Sequence, residues 1–115
     1  MDTTENKITE LQMLEQNMQT FLMEKQAIQG QQIEVENALE EITKTSGKVY
    51  KILGSVMVAS NKEDLKSDLE SKKEVLALKI KTLEKQETKI RERAQKLQAD
   101  VLEKIKKDGE NKNGQ

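Results

Sequence analysis

The chain has 115 residues, of which 36% are charged and 34% hydrophobic, and its only aromatic residues are Phe21 and Tyr50. This composition excludes an ordinary packed globule, in which about 25% of residues are charged. Cys and His are absent, which excludes disulfides, thiol nucleophiles, imidazole bases and the usual soft metal ligands. The formal net charge of −1 gives no electrostatic footprint for nucleic acid or for an anionic membrane surface.

Targeting and catalytic signals are missing as well. No run of about 18 apolar residues could span a bilayer, and the N-terminal segment MDTTENK lacks the basic start and the apolar stretch of a secretory signal. There is no GxxxxGK[ST] phosphate loop, and the carboxylates follow charge-patterned helix faces. We therefore expect a cytoplasmic protein that is not an enzyme, consumes no ATP, holds no metal or cofactor, and binds neither nucleic acid nor membrane.

A heptad pattern predicts the first helix over residues 4–44. Its inner positions alternate in steps of three and four, and eight of the ten are apolar. A pattern of this length is typical of a coiled coil. Gly47 is expected to close the helix in the left-handed conformation. The inner positions are Leu11, Leu14, Met18, Phe21, Lys25, Ile28, Gln32, Val35, Leu39 and Ile42.

The next segment, VYKILGSVMVA, predicts a β-hairpin over residues 48–59. Gly54 and Ser55 suit a two-residue turn in which Gly54 takes a positive φ. Apolar side chains lie on both faces, and an isolated two-stranded hairpin is marginal in water. Either the end of the chain's own coiled coil covers the hairpin, or it pairs with hairpins of other chains. We favour the second alternative because pairing also satisfies the free strand edges. The apolar residues are Val49, Ile52, Leu53, Val56, Met57 and Val58.

A second heptad pattern predicts a helix over residues 61–107. Ser60 and Glu63 form a capping-box pattern at its start, in which the Ser60 hydroxyl accepts from the Glu63 amide. The tail over residues 108–115 has no apolar residue and is expected to be disordered. Residues 1–107 are thus expected to form a single domain. The inner positions are Leu69, Lys73, Leu76, Ile80, Leu83, Glu87, Ile90, Ala94, Leu97, Val101 and Lys104.

The charges predict how the two helices meet. Residues 1–47 contain nine acidic and three basic residues, whereas residues 61–115 contain twelve acidic and fifteen basic residues. The first helix therefore repels a copy of itself and attracts the second. Because the connection is short, we predict a mainly α fold in which a long antiparallel two-helix coiled coil is joined by a single β-hairpin.

Two registers of this coiled coil satisfy both heptad patterns. One places Lys25 level with Leu83, and the other places Lys25 level with Ile90. The position of the hairpin turn favours the first. In both registers Lys25 and Glu87 lie in adjacent layers of opposite helices, so we predict a contact between them that helps to fix the register. The alternative is that the two side chains reach water independently.

Apolar residues beyond the needs of the seam collect at the free end of the coiled coil. Met13 and Leu22 on the first helix lie outside the inner positions, and Leu102 and Ile105 add apolar surface on the second. A Met-rich apolar surface can adapt to many partners. The alternative is that these residues widen the core or meet a neighbouring chain.

The hairpin and its flanking helices resemble the β-class subunit of prefoldin, a hexameric co-chaperone. In that family a V-Y-K/R-x-x-G segment forms the first strand and turn, and Val49, Tyr50, Lys51 and Gly54 match it. Met57 stands where the family usually has Leu or Phe. The resemblance covers about residues 5–107. The single hairpin is similar to that of a β-type, archaeal-type subunit, because the α class has two hairpins.

The resemblance implies a hexamer of two α-type and four β-type subunits whose hairpins form β-barrels between subunits. It further implies that the coiled-coil tips hold unfolded proteins without ATP and deliver them to a group II chaperonin. A structural coiled-coil adaptor that binds one defined folded partner is the alternative function. For assembly, the resemblance indicates Val49, Tyr50, Ile52, Leu53, Gly54, Val56, Met57 and Val58. For contact with unfolded proteins, the tip region it indicates contains Ile8, Leu11, Met13, Leu14, Met18, Phe21, Leu22, Leu97, Val101, Leu102 and Ile105.

Overall fold

Two long helices flank one short β-hairpin. The computed structural model describes residues 3–113, with side chains described for residues 3–109. Helix α1 covers Thr4–Lys44, strand β1 Val49–Leu53, strand β2 Val56–Ser60 and helix α2 Lys62–Asn113. The predicted mainly α fold with a single hairpin between two helices is confirmed.

Helix α1 begins and ends where the sequence predicted, but its C-terminal end closes differently. At its start the Thr3 hydroxyl accepts a hydrogen bond from the Asn6 amide at 3.1 Å, as an N-cap does. At its end the Thr45 amide and hydroxyl both donate to the Glu41 carbonyl, at 3.0 and 2.8 Å. Gly47 does not take the predicted left-handed conformation, and the helix ends in these Thr45 hydrogen bonds instead.

Strands β1 and β2 pair antiparallel, with Val49 opposite Ser60 and Leu53 opposite Val56. Among residues 3–113 only Gly54 has a positive φ, of 61°. This is the conformation predicted for the first turn residue, and glycine adopts it without the steric cost of a Cβ.

Helix α2 starts one residue later than the sequence predicted, because Ser60 is the last residue of β2. The cap is therefore Asn61, whose side-chain oxygen accepts a hydrogen bond from the Glu63 amide at 2.8 Å. The predicted capping box at Ser60 is wrong, although a helix start at this point is correct. Asn is as good an N-cap as Ser, so the chain loses nothing by this shift.

Helix α2 also continues beyond its predicted end at residue 107. Residues 108–113 are helical rather than disordered, and residues 114 and 115 lie outside the described part. Lys104 bonds to Asp108 at 3.5 Å and Lys107 bonds to Glu103 at 3.3 Å, both one helical turn apart. Such pairs stabilise the last turns of the helix, and extending an existing helix costs little free energy. Helix α2 therefore continues through this polar segment.

The contacts divide the chain into two units. The terminal unit contains Met1–Glu24 and Leu83–Gln115, and the hairpin unit contains Lys25–Thr82. Every buried hydrophobic residue in either unit occupies a predicted inner heptad position, which confirms the predicted seam. These residues are Val35, Ile42 and Leu76 in the hairpin unit, and Leu83, Leu97 and Val101 in the terminal unit.

The terminal unit adopts the first of the two predicted registers. Leu14 and Met18 of α1 line one groove together with Ile90 and Ala94 of α2. The first register places Leu14 level with Ala94 and Met18 level with Ile90, whereas the second would place Met18 level with Leu97.

The contact predicted between Lys25 and Glu87 joins residues of different units and stays a prediction. Glu87 itself is buried, with 6% of its surface exposed. Within residues 3–113 no helix combines the length and the apolar character that crossing a bilayer requires.

Candidate functional site

The hairpin carries a dense apolar surface. We call its six large exposed side chains the hairpin surface: Tyr50, Ile52, Leu53, Val56, Met57 and Val58. Between 44% and 68% of each remains exposed. The strand alternation puts Ile52 and Met57 on one face and Leu53, Val56 and Val58 on the other. Both faces are therefore apolar, and both outer strand edges lack a strand partner within the described residues.

Two polar contacts hold the base of the hairpin and leave its apolar side chains exposed. The Lys62 ammonium donates to the Thr45 carbonyl at 2.8 Å and so ties the start of α2 to the end of α1. Lys51 on β1 forms an ion pair with Asp68 on α2 at 3.6 Å. An open groove lies between the hairpin and the helices. Because the hairpin surface stays exposed, the alternative in which the chain's own coiled coil covers it does not hold for the described residues.

The terminal unit presents a second apolar surface. Ile8, Met13, Leu22, Leu102 and Ile105 are each at least 40% exposed. We call these five residues the terminal surface. Each is among the predicted tip residues, and each lies outside the inner positions or beyond the end of the seam. Met23, also outside the seam but not among the predicted tip residues, is the most exposed large hydrophobic residue of the described part of the chain, at 70%.

The other predicted tip residues are less accessible. Leu11, Leu14, Met18 and Phe21 are partly exposed along the seam. Leu97 and Val101 are buried, with 1% and 8% of their surfaces exposed. These two were assigned to the binding surface by region, but their heptad positions turn them into the seam. A bound chain could touch them only if the helices separated.

The two flanks of the terminal unit differ in chemistry. We letter each heptad a to g, with the inner positions at a and d. Glu10 and Arg93 then both occupy position g. The Arg93 guanidinium donates to both carboxylate oxygens of Glu10, at 2.9 and 3.1 Å. Lys7 and Asp100 add an ion pair at 3.8 Å on α1 and α2. This flank is closed by charge pairs.

The opposite flank is open and apolar. A groove, which we call the terminal groove, has Ile8 at position e of α1 on its edge and an apolar floor between the two helices. Its rim is polar and carries one charge of each sign, so the rim has no net charge. The floor is formed by Leu11, Leu14, Met18, Ile90 and Ala94, and the rim by Gln12, Glu15, Arg91 and Gln98.

The Glu10–Arg93 pair gives the closed flank a dependence on pH. The hydrogen bond from Arg93 lowers the pKa of Glu10 below its ordinary value; desolvation opposes this and the charge of Arg93 adds to it. A lowered pKa in the folded state means that the pair stabilises the fold above the ordinary pKa of Glu, about 4.3. This contribution is lost as the pH falls through the pKa of the folded state.

We therefore expect Glu10→Gln to reduce the free energy of unfolding slightly at pH 7 and to have no effect at a pH below the folded-state pKa. Urea unfolding of both proteins across this range measures the difference. The control is Glu92→Gln, which removes an exposed carboxylate of α2 that forms none of the ion pairs of residues 3–109. A difference between Glu10→Gln and the parent chain that persists unchanged in acid would contradict the expectation.

Three exposed apolar residues of the hairpin unit were missed by the sequence analysis. Ile33 lies on α1, and Val75 and Leu78 lie on α2, all with at least half of their surface exposed. None occupies an inner position. The available signal was the presence of Ile, Val and Leu at outer positions of otherwise polar helices. In the described residues no cluster of three or more acidic side chains could hold a metal ion.

Comparisons with known proteins agree with this arrangement of helices and hairpin. The profile of a family described as "Prefoldin subunit" matches residues 5–108. The prefoldin subunit beta of Archaeoglobus fulgidus is 38% identical over 91 residues, covering 77% of this chain and 78% of that protein. That of Sulfurisphaera tokodaii is 32% identical over 105 residues, covering 90% and 84%. The crystal structure of the prefoldin beta subunit from Thermococcus strain KS-1 matches with a TM-score of 0.79 and 29% identity, covering 85% of this chain and 88% of that one.

Proposed function

Because this chain belongs to the prefoldin subunit family, a family of chaperones rather than enzymes, we propose that it is a β-type subunit of an ATP-independent holding chaperone. In this proposal it assembles with α-type subunits into a hexamer of two α-type and four β-type chains in the cytoplasm. The hexamer holds unfolded proteins at the ends of its helix pairs and delivers them to a group II chaperonin.

Assembly is assigned to the hairpin. The hairpin surface offers apolar side chains on both faces and two free strand edges, a combination that a closed β-barrel formed with other hairpins would satisfy. The ion pair of Lys51 with Asp68 joins the hairpin to α2, and the hydrogen bond from Lys62 to Thr45 joins the two helix ends at its base. The residues proposed for assembly are Val49, Tyr50, Ile52, Leu53, Gly54, Val56, Met57 and Val58.

The observation that carries the holding function is the apolar surface at the open flank of the terminal unit. The terminal groove and Ile8, Leu22, Leu102 and Ile105 provide exposed apolar side chains in excess of what the seam uses. Contacts of this kind gain free energy from burial of apolar area without requiring a particular sequence. Several weak sites on several subunits would together hold an unfolded chain, because linked weak contacts raise the overall affinity.

The bound segment is expected to be apolar and without regular structure. The rim of the terminal groove balances Glu15 against Arg91 and supplies the amides of Gln12 and Gln98. Amide groups can both donate to and accept from an exposed peptide backbone. The open flank thus combines an apolar floor with a rim suited to extended polypeptide. Leu97 and Val101 support this surface from beneath, since they are buried in the seam.

We expect the triple variant Met13→Ser, Leu22→Ser and Leu102→Ser to assemble normally and to protect an unfolded client less well. Suppression of light scattering is measured after a chemically denatured protein is diluted into buffer that contains the assembled complex. We expect the concentration needed for half suppression to rise about tenfold, since tenfold corresponds to about 1.4 kcal/mol, within the range that burial of apolar side chains contributes.

The matched control is Gln16→Ser, Gln19→Ser and Lys96→Ser, three exposed polar positions on the same helices of the terminal unit. This control separates the loss of apolar surface from the lower helix propensity of Ser. Unchanged protection by the triple variant would place client binding elsewhere. Absence of any suppression by the parent complex would overturn the holding function and favour a coiled-coil adaptor.

A further inference from the structure

The hairpin unit has two apolar patches on the outer faces of its helices, away from both the seam and the hairpin. On α1 the patch is Ile33, which is 60% exposed. On α2 it is Val75 and Leu78, which are 50% and 64% exposed. Neither assembly through the hairpin surface nor client binding in the terminal unit makes use of these side chains.

The two patches lie at the same level of the helix pair. Thr45 at the end of α1 contacts Lys62 at the start of α2. Ile33 precedes Thr45 by 12 residues, and Val75 follows Lys62 by 13 residues. At 1.5 Å per residue both lie about 18 to 20 Å from this contact.

The two patches point to opposite sides. Ile33 occupies heptad position b, on the flank of position e, whereas Val75 occupies position c, on the flank of position g, and Leu78 occupies position f. In the terminal unit, the e positions of α1 and α2 share one flank and the g positions share the other. The same heptads in the hairpin unit therefore direct Ile33 and the α2 patch away from each other.

The surroundings of the two patches have opposite charge. Residues 29–41 of α1 contain four Glu and no basic residue, whereas residues 71–82 of α2 contain four Lys and one Glu. Of these charges, Glu36 at position e shares the flank of Ile33, and Lys72 and Lys79 at position g share the flank of Val75. Within residues 3–109 these three side chains take part in none of the ion pairs. Gly30 lies one turn from Ile33, and a Cβ there would meet no atom within 4 Å, so another helix can approach closely.

We propose that the Ile33 patch of one copy contacts the Val75 and Leu78 patch of a neighbouring copy standing beside it. A patch on one side that fits a different patch on the opposite side makes a heterologous contact, to which one copy contributes its α1 side and the neighbouring copy its α2 side. Acidic α1 then faces basic α2 at equal height.

The contact is small, so it reinforces neighbours that the hairpins have already brought together and does not hold them alone. The inference therefore rests on the proposed assembly through the hairpin surface. It adds a second point of contact on the helices, which would restrain how far neighbouring helix pairs swing apart.

Cysteine cross-linking tests the contact, because the natural chain has no Cys. One preparation of the full chain carries Ile33→Cys and another carries Val75→Cys. Both are assembled together with an α-type subunit and oxidised with diamide, and the products are separated on a non-reducing gel. A disulfide requires the two Cα atoms to approach within about 7 Å, so it reports direct contact. We expect a covalent dimer in the mixture and none when either variant is assembled alone.

The control pairs Ile33→Cys with Lys89→Cys, which lies in the same heptad column as Val75 but two heptads further along α2, about 20 Å away. Equal cross-linking of this pair would show random collision and overturn the contact. Cross-linking of Ile33→Cys with itself would overturn the heterologous arrangement. Light scattering gives the mass of each sample before oxidation. Assembled particles without the expected dimer would overturn the contact alone, whereas unassembled chains would overturn the proposed assembly and the contact with it.

Discussion

Replacing Ile52 and Met57 by lysine is expected to abolish assembly while leaving the helices folded. These residues are opposite each other on one face of the hairpin and are among its most exposed apolar side chains, at 68% and 65%. In a single chain both lysines would be solvated at little cost. In an assembly they would be buried without partners, which costs several kcal/mol for each charge.

Molar mass from light scattering, with an α-type subunit present, measures this effect. We expect the variant to have the mass of a single chain, 13.2 kDa, where the parent chain forms a larger complex. The control is Met13→Lys with Leu22→Lys, two exposed apolar residues of the terminal unit, which should assemble normally. Circular dichroism confirms that the helices persist. A complex of full size formed by the Ile52 and Met57 variant would contradict assembly through the hairpin surface.

Leu97→Ala is expected to lower the free energy of unfolding by about 2 to 5 kcal/mol. Leu97 is the most completely buried side chain described, with 1% of its surface exposed, and truncation would leave a cavity in the seam. Leu102→Ala, five residues further along the same helix and 67% exposed, should change this free energy by less than about 0.5 kcal/mol.

Urea denaturation at one fixed protein concentration compares the two variants, because the stability of an assembling protein depends on concentration. Equal effects of Leu97→Ala and Leu102→Ala would show that the described seam does not determine stability. A large effect at Leu97 alone would also explain why this residue is a poor candidate for direct contact with an unfolded protein.

Heptad periodicity predicted the seam well because burial in a two-helix coiled coil depends mainly on angular position around each helix. Leu76 and Leu97 were therefore placed correctly by spacing alone. Leu97 was then also assigned to the binding surface, since the family resemblance indicates a region and not a helix face. Its angular position was the better guide to its exposure.

The errors at the helix ends have a different origin. Asn61 and Ser60 cap helices about equally well, so the choice between them depended on how far β2 continues. The extension of α2 over residues 108–113 depends on propagation from an existing helix and on pairs such as Lys104 with Asp108. The polar composition of residues 108–115 predicted disorder, because composition alone contains neither helix propagation nor ion pairs with the preceding turn.

The outer residues Ile33 and Leu78 were missed for a third reason. Heptad periodicity marks apolar residues that repeat in phase, whereas isolated apolar residues out of phase look like ordinary surface variation. The contact proposed for these residues depends on two features that only the structure brings together. They lie at the same level of the helix pair, and they point in opposite directions. The difference between the two flanks of the terminal unit was not predicted either, although Glu10 and Arg93 at g positions and Ile8 at an e position indicate it.

The hydrogen bond between Lys62 and Thr45 implies an order of folding. It joins residues only 17 apart in sequence, whereas the Arg93–Glu10 contact joins residues 83 apart. Closing a short loop costs less conformational entropy, so the helices are expected to meet first beside the hairpin and to zip toward the chain termini. The terminal contacts then form last and open first. The terminal unit, which is proposed to receive unfolded chains, is thus also the unit in which the contacts between the helices are easiest to open.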